Sequence, residues 1–421
     1  MTAATHLIDH SHTESDALTS VLQSGIIDDM YVRGVARIAI EPEILSVHQA
    51  ANLSKAACSV ALMIDEAMQA ITGHVPLLRE LGLDESLMAI AALDGPRWLG
   101  LSRADVFMVE GSEDAQVCEL NCDTPTGLAE CTELGRVAAL AHPGLLNPSA
   151  GLRSRWIAMV RSAVHSDVQR PVVGILDPTE MTEDLCHVRL LARWLEEAGF
   201  VVVRGSPFNL HQCPDARVGL FGTACDVLIR HYKTDWWACR SSPWLDQAPP
   251  PDSASLEREL GLIAAAQAAG TVTVVNPWGT VVAQNKRMLA LPWEHPELFH
   301  EETLAAVKRH LPETHYLASL TRAQLLAERE QWVLKSDYGC EGEEVLVGSL
   351  TAPELWAESL RLADPRRWVV QRAFVPRRDV VGHSTNYGIF LIGGMPSGIY
   401  ARRSATPTDA MACSLPTLVQ P

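Results

Sequence analysis

From about Thr13 to Leu99, apolar residues recur at three- and four-residue spacing, most plainly in SKAACSVALMIDEAMQAI and VPLLRELGLDESLMAIAAL, which predicts a mainly helical N-terminal segment. The period then changes. Arg103 to Val109 and Gln116 to Asn121 read as two short strands joined by the polar turn GSEDA, a hairpin pattern, and helix returns from Leu128 to Leu140. PVVGILD, a helix through Leu185 to Ala198, and FVVVR predict a β-α-β unit of an open α/β sheet, which RVGLFG and DVLIRHY continue. SSPWLDQAPPPDSAS, rich in Pro, Ser and Asp, reads as a linker. After a further helix and the strand TVTVV, a third region begins near Asn276. There WVLKSD, EEVLVG, WVVQRAFV, YGIFLIGG and GIYARRS alternate with Gly-rich turns and predict a mixed, largely antiparallel sheet. No repeat of fixed period and no low-complexity segment interrupts this order.

Composition narrows the classes. A chain of 421 residues with 47% hydrophobic and 20% charged residues is globular, long enough for two or three domains, and not disordered on a large scale. Its net charge of −17 repels phosphate backbones and anionic lipid, and no basic patch offsets it, so neither nucleic acid nor a membrane is an expected partner. An acidic field weakly favours a cationic small substrate. The N-terminal MTAATHLIDHSHTESD holds no apolar run of the length a signal peptide or membrane anchor needs, and a cytoplasmic location is expected. The 10 cysteines are scattered without a C-x-x-C pair, which predicts reduced thiols.

CELNCDTPTGLAE is the most informative stretch. Strand alternation puts Glu119 and Asn121 on one face, with Asp123 following as the chain leaves the strand. On the preceding strand Arg103 and Asp105 also share a face, so pairing the two strands would gather two carboxylates, an amide and a guanidinium. Hard oxygen donors of this kind suit Mg2+, and the arginine suits a transferring phosphoryl group. The alternative is a hairpin with a merely polar outer face. WVLKSDYGCEGEEVLVG places Lys335 at a strand end before a loop with Gly339 and Gly342, where backbone amides and an ammonium could meet an anion. It is neither a Walker loop nor a G-x-G-x-x-G fingerprint.

Taken in order, these pieces resemble glutathionylspermidine synthases and the related permuted ATP-grasp ligases. RAD and CELNCDTPTGLAE look like that family's R-x-D strand and E-x-N-x-D-T-P-T-x-x-x-E segment. LIRHYKTDWW, NPWGTVVAQNKRMLALPWEHP, VLKSDYGCEGEEV, VVQRAFVP and IFLIGGMPSGIYARR follow in the family's order, from roughly Arg103 to Arg403. The resemblance implies an α+β chain with a circularly permuted ATP-grasp fold: residues 1–165 with N-terminal helices and the strands of the metal motif, 166–275 as a Rossmann-like pre-ATP-grasp α/β domain, and 276–421 as the nucleotide-binding region. It implies a ligase that uses ATP and Mg2+ to make an acyl phosphate, which an amine attacks to give an amide. Asp105, Glu119 and Asn121 would hold Mg2+, and Arg103 would stabilise the transferring phosphoryl group. Lys286 and Lys335 would bind ATP phosphates beneath a lid from Gly339 to Gly342. Gln371 to Phe374 would form the adenine hinge, and Arg402 matches the arginine of the G-I-x-x-R strand, its partner open between substrate carboxylate and phosphate. Thr124, Thr126, Arg230 and Lys233 are candidates for substrate contact or for structural turn and surface positions. The substrates would be a small carboxylic acid or peptide and an amine, with a polyamine possible.

Arg403 and Ser404 stand where the synthases tend to be acidic, and the amidase domain that some members carry has no counterpart, so no amidase activity is expected. Two other classes stay in view. One is a non-catalytic nucleotide- or ligand-binding protein on the same fold; the other is a thiol-dependent amidase, for which no cysteine has a recognisable nucleophile context.

Overall fold

The structure, a computed structural model, describes residues 18–27, 30–165, 168–178, 184–238, 241–248, 256–339, 344–408 and 411–421. They run through β1 (Glu43–Ser46), α1 (Val47–Ile71), β2 (Leu101–Met108), β3 (Ala115–Asn121), α2 (Leu128–Ala141), α3 (Leu152–Ser162), β4 (Val172–Leu176), α4 (Leu185–Glu197), β5 (Val201–Gly205), β6 (Val227–Arg230), α5 (Glu257–Ala268), β7 (Thr273–Val275), β8 (Thr314–Tyr316), β9 (Trp332–Ser336), β10 (Val345–Val347), α6 (Pro353–Leu362), β11 (Trp368–Arg372), β12 (Ser384–Ile392), β13 (Met395–Ser404), β14 (Cys413–Leu415) and β15 (Thr417–Gln420), with shorter elements between.

Helix α1 carries the long apolar stripe and begins at a reciprocal cap. The Ser46 hydroxyl accepts from the Gln49 amide, and the Gln49 side chain accepts from the Ser46 amide, which satisfies two donors the helix leaves unpaired. Its stripe packs against one face of a five-stranded antiparallel sheet in the order β14-β13-β12-β2-β3. Ala104, Val106, Ile389, Leu391 and Ala401 make that face. Period-two alternation sends Leu101, Phe390, Ile392 and Tyr400 to the opposite face, where they pack with Leu128, Trp156 and Leu191 of α2, α3 and α4. The rest of this second face is polar and carries the candidate site.

Two elements from the chain's beginning are strands rather than helix. Residues 31–36 form a small hairpin, and β1 lies parallel to β15. Strand β1 is four residues long and takes its hydrogen bonds from a partner at the other end of the sequence, so no local period announces it.

Strands β7-β6-β4-β5 form a parallel sheet with α4 as the crossover between β4 and β5. The run RVGLFG does not extend it. Val218–Leu220 lies in a separate three-stranded antiparallel sheet, because Phe221 and Gly222 both take positive φ (48° and 85°) and fold the chain straight back. A parallel neighbour needs a long crossover that this turn does not leave room for.

The third region makes two sheets. Strands β8-β11-β9-β10 form one antiparallel sheet over a core of Trp332, Leu334, Trp356, Trp368 and Val370. Strands β12 and β13 instead join β2, because β12 is buried along nearly all its length and needs a partner on each edge. Within the predicted linker, Trp244 packs on Trp368 at 4.5 Å and the Pro243 carbonyl accepts from the Trp368 indole at 2.7 Å; residues 249–255 lie outside the described residues. No helix among the described residues is long and apolar enough to cross a membrane.

Candidate functional site

On the second face of the five-stranded sheet, Arg103 lies directly opposite Asn121, and Asp105 directly opposite Glu119. A bulge at Cys118 makes this possible. Unbroken alternation would put Val117 on the face of Glu119; the extra residue lets Val117 and Leu120 both bury against α1 while Glu119 and Asn121 turn the other way. It also aims the Cys118 carbonyl at the Lys335 ammonium, 3.2 Å away.

Arg103 is 6% exposed and each of its three nitrogens is engaged: Nε donates to Asp105 Oδ1 at 2.7 Å, one terminal nitrogen to Asp105 Oδ2 at 3.2 Å, and the other to the Thr126 carbonyl at 2.7 Å. Its alkyl chain lies over Gly388, where a Cβ would stand 2.7 Å from the Arg103 Cδ, so this position accepts only glycine without displacing the arginine. From the far strand Arg402 reaches across to Asp105 Oδ2 at 2.7 Å. Asn386, directly opposite Arg402 in register, donates Nδ2 to the same oxygen at 3.4 Å. Asn121 donates to Glu119 Oε1 at 3.2 Å.

Two lysines close the arrangement. Lys286, from the short helical segment Lys286–Ala290, lies 3.3 Å from Glu119 Oε2 and donates to the Gly339 carbonyl at 2.6 Å, so it bridges the two antiparallel sheets. Lys335 of β9 is 6% exposed and donates to Gln371 Oε1 at 2.7 Å; Gln371 in turn donates to Thr314 at 3.0 Å. Both hydrogen-bond acceptors of Lys335 are neutral, and no carboxylate among the described residues stands at ion-pair distance. Burial works to raise the Glu119 carboxyl, but Lys286, Lys335, the Asn121 hydrogen bond and Arg103 outweigh it and hold it at about 2. Phe374, beyond Gln371, meets Phe107 of β2 at 5.8 Å. Gly339 lies beside the Ser336 hydroxyl, which accepts from its amide, whereas Gly342 lies outside the described residues.

Among the described residues, four cations thus surround two carboxylates, an excess of two positive charges in a site largely withdrawn from water. Such a site calls for an anion. Asp105, Glu119 and Asn121 are also hard oxygen donors, and beside them Asn386 Oδ1 is buried with no hydrogen-bond partner among the described residues, so the donor set suits a small divalent cation.

The other candidates divide. Thr124 and Thr126 are partly exposed on the loop after β3, and the Thr126 carbonyl is spent on Arg103. Lys233 stands over the Trp236 ring at 5.3 Å. Arg230 turns inward: its side chain has no exposure and pairs with Asp123 at 2.6 Å, so it supports the site from behind. Cys122 is buried against α1, and burial raises its thiol well above the ordinary range. Sequence reasoning did not reach Asn386 or Gln284, whose Oε1 accepts from the Cys122 and Asp123 amides. Alternation in STNYGIF places Asn386 with Gly388, but only the pairing of β12 with β2 gives that face a meaning.

Behind Asp123, at the carboxyl ends of the parallel strands, His187 stacks on His231 with centroids 4.4 Å apart, and His231 Nε2 faces Asp184 at 3.3 Å. Burial, His231 and Arg103 push the His187 imidazole well below its ordinary 6.5. The unfolded chain takes up a proton near that pH which folded His187 refuses, so its contribution is complete above pH 6.5 and is lost as pH falls. His187→Gln should therefore flatten the acid side of the stability curve in urea titrations between pH 8 and 5. Parallel curves for the two proteins would contradict this.

The cluster of cations and carboxylates thus lies between two antiparallel sheets and is backed by a parallel α/β unit. Residues 253–420 match the model of the glutathionylspermidine synthase preATP-grasp family. No curated protein matches the chain in sequence. Among solved structures the fold is similar to a glutathione synthetase-like effector from Globodera pallida in its apo form, with a TM-score of 0.60 and 11% identity over 96% of each chain. A putative gamma-glutamylcysteine synthetase from Methylobacillus flagellatus KT overlaps more loosely, with a TM-score of 0.45 and 12% identity over 87% of this chain and 85% of that one.

Proposed function

We propose that the chain is an ATP- and Mg2+-dependent ligase that joins a small carboxylic acid or peptide to an amine through an acyl phosphate. The observation that carries this reading is Lys335: a buried ammonium that among the described residues is held by neutral oxygens, beside three further cations, is organised for the phosphates of a nucleotide. The family match over residues 253–420 supports it. The same reading makes the chain circularly permuted, with β2 and β3 preceding the parallel sheet in sequence while sharing their own sheet with β12 to β14.

In this reading Lys286 and Lys335 hold the nucleotide phosphates, with Gln371 and Phe374 at the base and Gly339 above. Asp105, Glu119 and Asn121 hold Mg2+, which would neutralise phosphate charge. Arg103, fixed by Asp105 and Thr126, faces the negative charge that grows as the substrate carboxylate attacks the γ-phosphorus and ADP departs. The amine nitrogen then attacks the acyl carbon and phosphate leaves, so no protein nucleophile is needed. Catalysis rests on position and charge. Thr124, Thr126 and Lys233 lie on loops from which substrate could be contacted. The acidic net charge is compatible with a cationic amine such as a polyamine, and a cytoplasmic location fits an ATP-consuming reaction.

The test is ADP release with Mg-ATP and a panel of acids crossed with amines, glutathione with spermidine among them. ADP that appears only with one pair, with a product mass equal to their condensation, is the expected result; nucleotide binding without ADP from any pair would favour a binding protein. Lys335→Ala should weaken ATP binding by ~1.5–3 kcal/mol, roughly 10- to 150-fold, as a charged hydrogen-bonding group is lost. Calorimetry checks this, and an unchanged affinity would remove Lys335 from the phosphate site.

A further inference from the structure

We propose that Arg402 is a latch on the Asp105 carboxylate that keeps a divalent cation out until an anion draws the guanidinium away, and that Asn386 is the positioning residue that holds Asp105 through the exchange. This rests on the reading of the site as a nucleotide and Mg2+ site and assigns Arg402 its partner on each side of the exchange.

The contacts of Asp105 carry the argument. Oδ1 accepts from Arg103, while Oδ2 accepts from Arg402 at 2.7 Å, Arg103 at 3.2 Å and Asn386 at 3.4 Å. One negative charge is thus shared by two guanidinium groups, and a cation approaching Asp105 meets net repulsion. One of the two must leave. Arg103 makes three hydrogen bonds, one of them to the Thr126 carbonyl, and is 7% exposed in its side chain. Arg402 holds Asp105 by a single nitrogen, is 19% exposed in its side chain, and its buried Nε finds no acceptor among the described residues. Where it sits, Arg402 is half satisfied.

A phosphate or carboxylate oxygen pair offers what Asp105 does not, acceptors for Nε and a terminal nitrogen together in the forked geometry that guanidinium prefers. When Arg402 moves to such an anion, Asp105 keeps Arg103 and Asn386, and Oδ2 becomes available to a cation. Asn386 then supplies a further oxygen at the same place, since its buried Oδ1 has no donor while Nδ2 stays on Asp105. Cation and nucleotide would each prepare the site for the other, and the coupling must be equal in both directions.

The experiment uses the full chain and MnCl2 followed by electron paramagnetic resonance, with no nucleotide present. Wild type should bind Mn2+ weakly, Arg402→Gln about tenfold or more tightly, and Arg402→Lys should stay weak because an ammonium still pairs with Asp105. In the reverse direction, Asp105→Asn releases Arg402 and should bind a non-hydrolysable ATP analogue in EDTA about tenfold more tightly than wild type. This second measurement stands even where Arg402→Gln folds poorly. Equal Mn2+ affinity in wild type and a folded Arg402→Gln, or no gain in Asp105→Asn while wild type binds the analogue with MnCl2, would overturn the latch. If the analogue binds to no protein under any condition, the nucleotide reading itself falls, and the Mn2+ comparison still decides whether Arg402 guards Asp105.

Discussion

Glu119→Gln should lower acid- and amine-dependent ADP release by at least about a hundredfold, the scale seen when one preorganised electrostatic group is removed from a site. The substitution keeps the shape and the Asn121 contact but deletes the charge that faces Lys286 at 3.3 Å. The excess of positive charge then grows by one, and a cation loses a ligand charge while the lysines keep theirs. Stability should fall by only ~1.5–3 kcal/mol, the worth of a hydrogen bond to a charged group. Because the surrounding cations hold the Glu119 carboxyl at about 2, its charge is constant from pH 4 to 8, and wild-type turnover should show no acid limb from this residue. Steady-state ADP release with Mg2+ raised to saturation is the decisive measurement. Near wild-type turnover at high Mg2+ would place the catalytic cation elsewhere.

What the sequence could convey follows from the range of each interaction. Arg103, Asp105, Glu119 and Asn121 were legible because alternation along one strand and pairing across one short turn are local properties. The bulge at Cys118 was not, since nothing in QVCELN marks the residue at which pairing slips; only the need to bury Val117 and Leu120 on one helix fixes it. Helix α4 and its flanking strands β4 and β5 were legible for the same reason, while β1 and Val218–Leu220 were not. The partner of β1 lies at the far end of the chain, and Phe221 takes a positive φ that a bulky residue seldom adopts. The contacts of Arg402 and Asn386 with Asp105 join β13 and β12 to β2 over nearly three hundred residues of sequence, so no spacing encodes them. At Arg230 the sequence left substrate contact and a structural position both open, and only the fold shows the side chain turned inward. An arginine at a strand end ordinarily points to solvent or substrate, and here a carboxylate remote in sequence draws it inside.

That carboxylate is the second large expectation: Asp123→Asn should destabilise the chain by ~3–5 kcal/mol, the cost of leaving a buried charge without its partner. Asp123 accepts from the Arg230 guanidinium at 2.6 Å, from the Thr234 amide and hydroxyl at 2.7 and 2.6 Å, and from the Thr280 hydroxyl at 2.8 Å. One side chain therefore pins the end of β3 to the end of β6 and to the segment that leads into Lys286. Burial favours its neutral form, but Arg230 and the Thr234 hydrogen bonds prevail and lower its carboxyl. In the variant, Arg230 keeps the Tyr232 carbonyl and the face of Trp278 but has no countercharge. The double variant Asp123→Asn with Arg230→Met should be less destabilised than the sum of the two single variants, because it removes the stranded charge. Urea midpoints of the first cooperative transition measure all four proteins. Near-additive losses would show that the pair is not coupled and that Asp123 acts through Thr234 and Thr280 alone. Activity separates support from contact: since Asp123 is 2% exposed and both its oxygens accept from Arg230, Thr234 or Thr280, a folded Asp123→Asn at low temperature should lose turnover through a misplaced Glu119 and Asn121, with the affinity for the ATP analogue, set by Lys335 on the other sheet, little changed.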